Sequence, residues 1–368
     1  MTSRERLTRL FNKQEIDRIP IWLLYPFHRL GCYADVYNSP TYNPIMDRIE
    51  QGDCDTFDRR GYDCGFCFNN NSDVKFSSFS EQDGGNIRNG RRITYKDYVW
   101  EAYISRGNDT TKQKFFVSEA DELKKLLEIP YKPNFPDISK YAEEKEELGE
   151  RGLMMTDIGD PLQIIYNLMS AEDFSMMTLT DYDVLTEFLD IMRQRVLDKY
   201  RYLLENNIGE VIFLVGAEFA GPPIVSPLKF NELVVRYVKE IVDLIRSYGK
   251  KSILHYHGNL FKVLDGMKEI NPDGLHTIEA PPIGDCTITQ ARNILGDMIL
   301  IGNMQYDTFR SASTDEIREE IKQIIEEGKS GRFILSPTAG PYEPSLDEHM
   351  VESYLAFIDA GLEFGKLK

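Results

Sequence analysis

Apolar residues along the second half of the chain follow two periods in turn. Val211-Ile212-Phe213-Leu214-Val215 is apolar at every position, the signature of a short strand covered on both faces. It follows a long helical stretch that begins near Asp181 and ends near Asn206-Asn207. Ser226-Pro227 then offers an N-cap with proline at the first helical position. The apolar residues after it fall at Phe230, Leu233, Val234, Tyr237, Val238, Ile241, Leu244 and Ile245, a helical period closed by Gly249.

The alternation continues to the end. Strands are predicted over 252–255, 274–278, 298–302 and 333–336, and helices over 260–267, 287–295, 314–327 and 346–361. Short strands alternating with helices form parallel strand–helix–strand units, in either a closed barrel or a doubly wound sheet. Two observations favour the barrel. No G-x-G-x-x-G follows any strand, so the dinucleotide fingerprint is missing. Successive strands instead run into polar residues: Glu218, then His255 and His257, Glu279, Asn303 and Ser336. A ring of polar strand ends is how the active face of a barrel is built. The expected fold is therefore α/β, a (β/α)8 TIM barrel.

The first half is less regular. Ile19-Pro20-Ile21-Trp22-Leu23-Leu24 reads as the first strand, after a short helix capped near Thr2-Ser3. Residues 73–117 are β-rich, with turn signals at Asp83-Gly84-Gly85 and Asn89-Gly90. They read as an N-terminal β-hairpin insertion covering one side of the barrel mouth. Residues 139–149 read as a Glu-rich surface helix. With no internal repeat or low-complexity linker, residues 1–368 read as one barrel domain.

Composition narrows the partners. The net charge of −17 offers no basic stripe to neutralise nucleic-acid phosphates or an anionic membrane. No apolar run approaches the roughly 20 residues of a membrane span, and the charged start Arg4-Glu5-Arg6 leads into no signal-peptide core. The expected location is the cytoplasm. Five cysteines, an odd count, fit reduced thiols there. Cys64-Gly65-Phe66-Cys67 is a lone pair without the second pair of a zinc ribbon, and reads as ordinary thiols.

Several segments together resemble the uroporphyrinogen decarboxylase superfamily. Arg4-Glu5-Arg6 followed by Asp17-Arg18-Ile19-Pro20-Ile21-Trp22 is similar to its opening. His255-Tyr256-His257-Gly258-Asn259 resembles its H-x-C-G-N strand end. Asn271-Pro272-Asp273-Gly274, Gly302-Asn303 and Phe333-Ile334-Leu335-Ser336-Pro337 follow in the same order. The resemblance implies the barrel and one of two chemistries. One is cofactor-free decarboxylation of an eight-carboxylate tetrapyrrole, and the other is methyl transfer with a corrinoid protein, usually with zinc. The decarboxylases carry an R-Q-A-G-R-Y motif after the first strand. The matching stretch here, Tyr25-Pro26-Phe27-His28-Arg29-Leu30, keeps only Arg29 as a substrate-binding cation. The methyltransferase branch is the closer match. Its H-x-C histidine is His255, but His257 stands at the cysteine, and the later cysteine is missing from Ser336-Pro337-Thr338-Ala339-Gly340.

Two imidazoles two residues apart on a strand share a face and can begin a metal site. The expected zinc set is His255, His257 and Glu279, with Glu218 or Cys286 as alternative ligands, and Glu218 joins the first three as a catalytic candidate. A metal-free alternative uses the histidines as acid and base with Glu279. Asn259, Asn303, Tyr306 and Asp157 are expected to line the substrate pocket, with Asp160 beside Asp157. His276 and His349 read as structural. The expected function is transfer of a methyl group between a small methylated substrate and a corrinoid protein. No D-x-H-x-x-G motif occurs, so the corrinoid arrives on a partner. The alternatives are a cofactor-independent decarboxylase or lyase acting on a smaller acid, and a non-catalytic small-ligand-binding barrel. The acidic surface does not forbid a homodimer.

Overall fold

Strands that are apolar at every position need cover on both faces, and a parallel sheet lined by helices supplies it. The computed structural model describes residues 1–30, 34–62, 73–106 and 111–367. In chain order its strands are β1 (Thr56–Gly61), β2 (Val74–Asp83), β3 (Asn86–Tyr95), β4 (Tyr98–Arg106), β5 (Thr111–Lys114), β6 (Gly152–Asp157), β7 (Val211–Val215), β8 (Lys251–His255), β9 (Gly274–His276), β10 (Ile299–Met304) and β11 (Phe333–Pro337). Seven of them pair in parallel in the order β1-β6-β7-β8-β9-β10-β11. No strand reverses that order, so the sheet curls one way and has no switch-point crevice.

Alternate side chains separate the two faces. Phe57, Leu153, Met155, Val211, Phe213, Ile253, Ile299, Ile301 and Ile334 form the concave cluster, together with Trp22 and with Leu7, Leu10 and Phe11. The last three belong to the helix Ser3–Phe11, whose N-cap is Thr2 as the sequence suggests. The intervening Met154, Ile212, Leu214, Leu254, Leu300 and Leu335 join the larger cluster under the helices. Those helices include Tyr182–Glu205, Ile288–Leu295, Thr314–Gly328 and Glu348–Phe364, close to the expected spans.

The stretch expected as a first strand over 19–24 is instead a narrow seam. The Leu335 N–H donates to Pro20 O at 2.9 Å, and the Trp22 N–H donates to Leu335 O at 2.8 Å. On its other side the Asp55 N–H donates to Ile21 O. Pro20 has no N–H to extend the ladder, and Leu24 turns the chain away at φ 65°. Beneath the seam lies Asp55, whose carboxylate takes Arg6 Nη1 at 2.6 Å, Arg18 Nη1 at 2.8 Å and the Ile21 N–H at 3.0 Å.

The insertion is larger than the expected hairpin. It is a four-stranded antiparallel sheet, β2-β3-β4-β5. Gly84 and Gly85, at φ 54° and 95°, make the turn between β2 and β3 as expected. Asn89-Gly90 does not turn. Gly90 lies inside β3 opposite Phe79 and Tyr103, where a Cβ would come within 2.3 Å of Ala102 O. Glycine is there for close approach of strands, which a sequence signal for a turn cannot distinguish. Val74, Ile93, Tyr95 and Trp100 bury one end of the sheet in the main core. Cys32, Cys64 and Cys67 lie outside the described residues. Cys54 and Cys286 are free and buried.

Candidate active site

Parallel pairing sets β8 beside β9 with His255 opposite His276, so two histidines meet at adjacent strand ends. Their rings stack at 14° with centroids 4.8 Å apart, and their Nδ1 atoms are 2.7 Å from each other. His276 Nε2 lies 3.2 Å from Pro337 O, the carbonyl ending β11. Burial, then neighbouring cationic groups, keeps both rings neutral: His255 titrates well below an ordinary histidine, and His276 is pushed down to about 3.

The proton positions then follow from the acceptors. A carbonyl oxygen can only accept, so His276 Nε2 carries the hydrogen and its Nδ1 carries a lone pair. His255 Nδ1–H must donate to that lone pair. His255 Nε2 is left as a bare acceptor.

His257 sits two residues on, its ring at 88° to His255 with centroids 4.8 Å apart. Gly258, at φ 86°, turns the chain so that its N–H donates to Glu279 Oε2 at 2.7 Å. The other oxygen of Glu279 lies 3.1 Å from His257 Nδ1. Burial is the largest single influence and works against charge on both partners, but their mutual hydrogen bond together with the Glu218 charge beside His257 and the Gly258 N–H on Glu279 outweighs it: His257 titrates above an ordinary histidine and Glu279 below an ordinary carboxylate.

Glu218 enters from the 3-10 turn Glu218–Ala220, just after β7. Its Oε1 is 3.9 Å from His257 Nε2 and 4.0 Å from His255 Nε2. Burial raises its carboxyl, although half the side chain reaches solvent. The ligand atoms of Glu218, His255 and His257 all lie within 4.8 Å of one another. Zinc bonds of about 2.0–2.2 Å require ligand atoms roughly 3.3–3.6 Å apart. The two separations to Glu218 are close to that, and the wider one, between the two imidazoles, would have to shorten by a small ring movement on binding. Zinc-binding histidines normally donate their second nitrogen to an outer acceptor. Both do so here, His257 to Glu279 and His255 to His276. The donor set therefore fits zinc.

The structure brings three predicted residues into this group and sets Glu279 against it. Glu279 holds the nitrogen of His257 that faces away from Glu218. Cys286 is buried outside the group, its Sγ 3.4 Å from Thr287 O and its thiol pushed up to about 11 by burial. Asn259 is partly buried and Asn303 nearly fully so. The Tyr306 hydroxyl is engaged by Glu343 and by the Tyr342 N–H at 3.2 Å. Arg29 is exposed, 3.6 Å from Asp35, and His349 is exposed on the last helix.

Two residues of the site were not expected. His276 reads as structural from sequence, because only the register shows which ring it faces. Arg59 is in β1 and reaches Asp157, the end of β6, with its Nε at 3.0 Å. Its guanidinium lies 4.8 Å from the Phe213 centroid, and that ring lies 5.2 Å from His255. The strand Thr56–Gly61 carries Asp58-Arg59-Arg60 among its last residues, so apolar periodicity gives it no signal.

Asp160 has a different role. It caps the helix Pro161–Leu168, accepting the Gln163 N–H at 2.8 Å, and burial lifts its carboxyl to about 6. A carboxyl raised by folding keeps its proton where the unfolded chain has lost it, so stability falls as pH rises from about 4 to about 6. That gap corresponds to about 3 kcal/mol. Asp160→Asn is expected to flatten this fall in urea midpoints measured across the window. An undiminished slope in the variant would reject the assignment.

The family described as uroporphyrinogen decarboxylase (URO-D) matches residues 110–360. Among solved structures, a methyltransferase from Methanosarcina mazei is similar with a TM-score of 0.60 and 17% identity, over 98% of each chain. A B12-independent methionine synthase from Shewanella sp. in complex with selenomethionine has a TM-score of 0.46 and 11% identity, over 94% of this chain and 97% of its own. No curated protein matches the sequence. Among the described residues, no helix is long and apolar enough to cross a membrane.

Proposed function

The chain belongs to the uroporphyrinogen decarboxylase family, and on that premise we propose that it is a methyltransferase working between a small methylated substrate and a corrinoid carried by a partner protein. The observation that carries this reading is the convergence of Glu218, His255 and His257, with the His255 Nε2 lone pair directed at the group. Zinc held there supplies Lewis acidity toward the oxygen from which a methyl group departs. The protein's own contribution is to hold the ligands. Glu279 fixes His257, and the His276–Pro337 pair fixes His255. Nearby, Arg59 is anchored by Asp157 rather than offered to a multiply charged acid, which favours this reading over the family's tetrapyrrole decarboxylation.

A metal-free lyase is the second reading. It is favoured by the His257–Glu279 pair, whose geometry also suits an acid–base couple. The eighth strand of the (β/α)8 barrel is, on our reading, the seam at Ile21, which would make residues 1–368 one domain. The hydrogen bonds to Leu335 support it.

Metal analysis separates the readings. Purified protein is expected to hold about one zinc per chain, lost in His257→Ala and in Glu218→Gln. Protein that is free of metal and turns over an acid without a corrinoid partner would overturn the methyl-transfer reading.

A further inference from the structure

The four-stranded sheet is buried at only one end, and its other end overhangs the barrel. Between the overhang and the barrel lies a cavity of about 730 Å³. Phe219, the residue after Glu218, forms part of its wall and stacks on Tyr166 at 14° with centroids 5.5 Å apart. On the sheet side, Arg91, Asn89 and Gln113 line the cavity. Register places them on one face: Arg91 is opposite Ala102, and Asn89 and Gln113 are both opposite Ile104. That face is continuous with Ile93 and Trp100, the residues that bury the sheet's inner end.

Charge gives the cavity its character. The chain carries −17 overall, yet among the described residues lining this space there is no carboxylate. Arg91 has no carboxylate in ion-pair range among the described residues, and its aromatic neighbour is Phe116, with the guanidinium 5.9 Å from the ring centroid. Its neighbours on the same sheet differ: Arg88 and Arg92 are both paired with Glu81. Arg91 and Lys114, both solvent-accessible, give this space two cationic side chains and no carboxylate among its described lining, beside aromatic walls and side-chain amides, a combination that suits an anion bringing a ring. A space of this size suits a ligand well beyond a one-carbon or two-carbon compound.

We propose that this cavity binds a monoanionic aromatic acid, its carboxylate on Arg91 and its ring against the Phe219–Tyr166 stack. The insertion then supplies specificity, and the ligand lies one residue from Glu218. Calling the ligand the substrate rests on the methyl-transfer reading. Its binding does not.

Calorimetry on the full chain tests the proposal with three probes: naphthoate, the uncharged naphthalenemethanol, and the ring-saturated cyclohexanecarboxylate. Naphthoate is expected to bind roughly tenfold or more tighter than either of the others. Arg91→Gln should erase that advantage, Arg91→Lys should restore part of it, and Ile104→Trp should fill the space and weaken binding while melting stays unchanged. Equal binding of the alcohol, or naphthoate binding untouched by Arg91→Gln, overturns the site. His257→Ala should leave naphthoate binding within about twofold, since the metal group stands outside the cavity. Loss of zinc reading with retained naphthoate binding therefore sinks only the reaction. Zinc present with no Arg91-dependent binding sinks only the cavity.

Discussion

Asp55→Ala is expected to lower stability by about 3 kcal/mol, seen as a fall in the urea midpoint. The carboxylate is fully buried, and it neutralises Arg6 and Arg18, whose side chains are only 5% and 9% exposed. It also accepts the Ile21 N–H. Removing one partner of a buried ion pair costs about 3–5 kcal/mol, because the remaining charge stays out of water. The lower end applies here for a structural reason. Arg6 keeps Asp17, which is partly exposed, and Arg18 keeps the carbonyls of Ile19, Gly52 and Asp53. Asp55→Asn keeps an acceptor for Ile21 and should lose less. Trp22 lies beside the seam and Trp100 in the antiparallel sheet, so intrinsic fluorescence follows both parts. A midpoint shift no larger than that of a surface substitution would show that the arginines are satisfied without Asp55.

His276→Phe is expected to weaken zinc binding about 10–100-fold, as loss of an outer hydrogen-bond partner commonly does. The ring is replaced by one of similar volume, so packing against Trp22 and Phe213 survives. What disappears is the lone pair that receives the His255 Nδ1 hydrogen. His255 is then free to place its proton on Nε2, the nitrogen needed as a ligand. His276→Asn offers an amide oxygen near the same place and should recover part of the affinity. Nitrogen NMR of the metal-free protein reads the tautomer directly, with Nδ1–H on His255 in the parent chain and a mixture in the phenylalanine variant. An unchanged His255 spectrum would reduce His276 to a packing residue. This experiment needs no substrate, so it does not depend on the reaction being the proposed one.

How much of this could be read from sequence depended on whether the signal was local. The order of parallel strands from β7 to β11 was legible because each run has an apolar centre and alternates with a helix of 3.6-residue period. His255, His257 and Glu218 were legible as polar strand ends. The role of Glu279 was not, since a carboxylate at the next strand end can face either nitrogen of His257, and only the turn at Gly258 decides. His276 lay one register partner away from recognition. Arg59 was hidden because β1 becomes polar and exposed toward its end. In the insertion, Asn89-Gly90 carried a turn signal in a place where strand crowding, and not a turn, selects glycine.

The seam at Ile21 has a consequence for how the chain is made. Its hydrogen-bond partner Leu335 lies far along the chain, so during synthesis the seam emerges long before β11 exists. Until then the outer side of the seam has no neighbour, and Trp22 and Phe57 lack the concave cover that Ile334 completes. Contacts so distant along a chain form late, and an exposed strand edge is what nascent chains aggregate through. The helix Ser3–Phe11, tied to Asp55 through Arg6, can form early and shelter part of that surface. Early synthesis of the N-terminus would then leave a tethered half-sheet waiting for its last strand, rather than an open one.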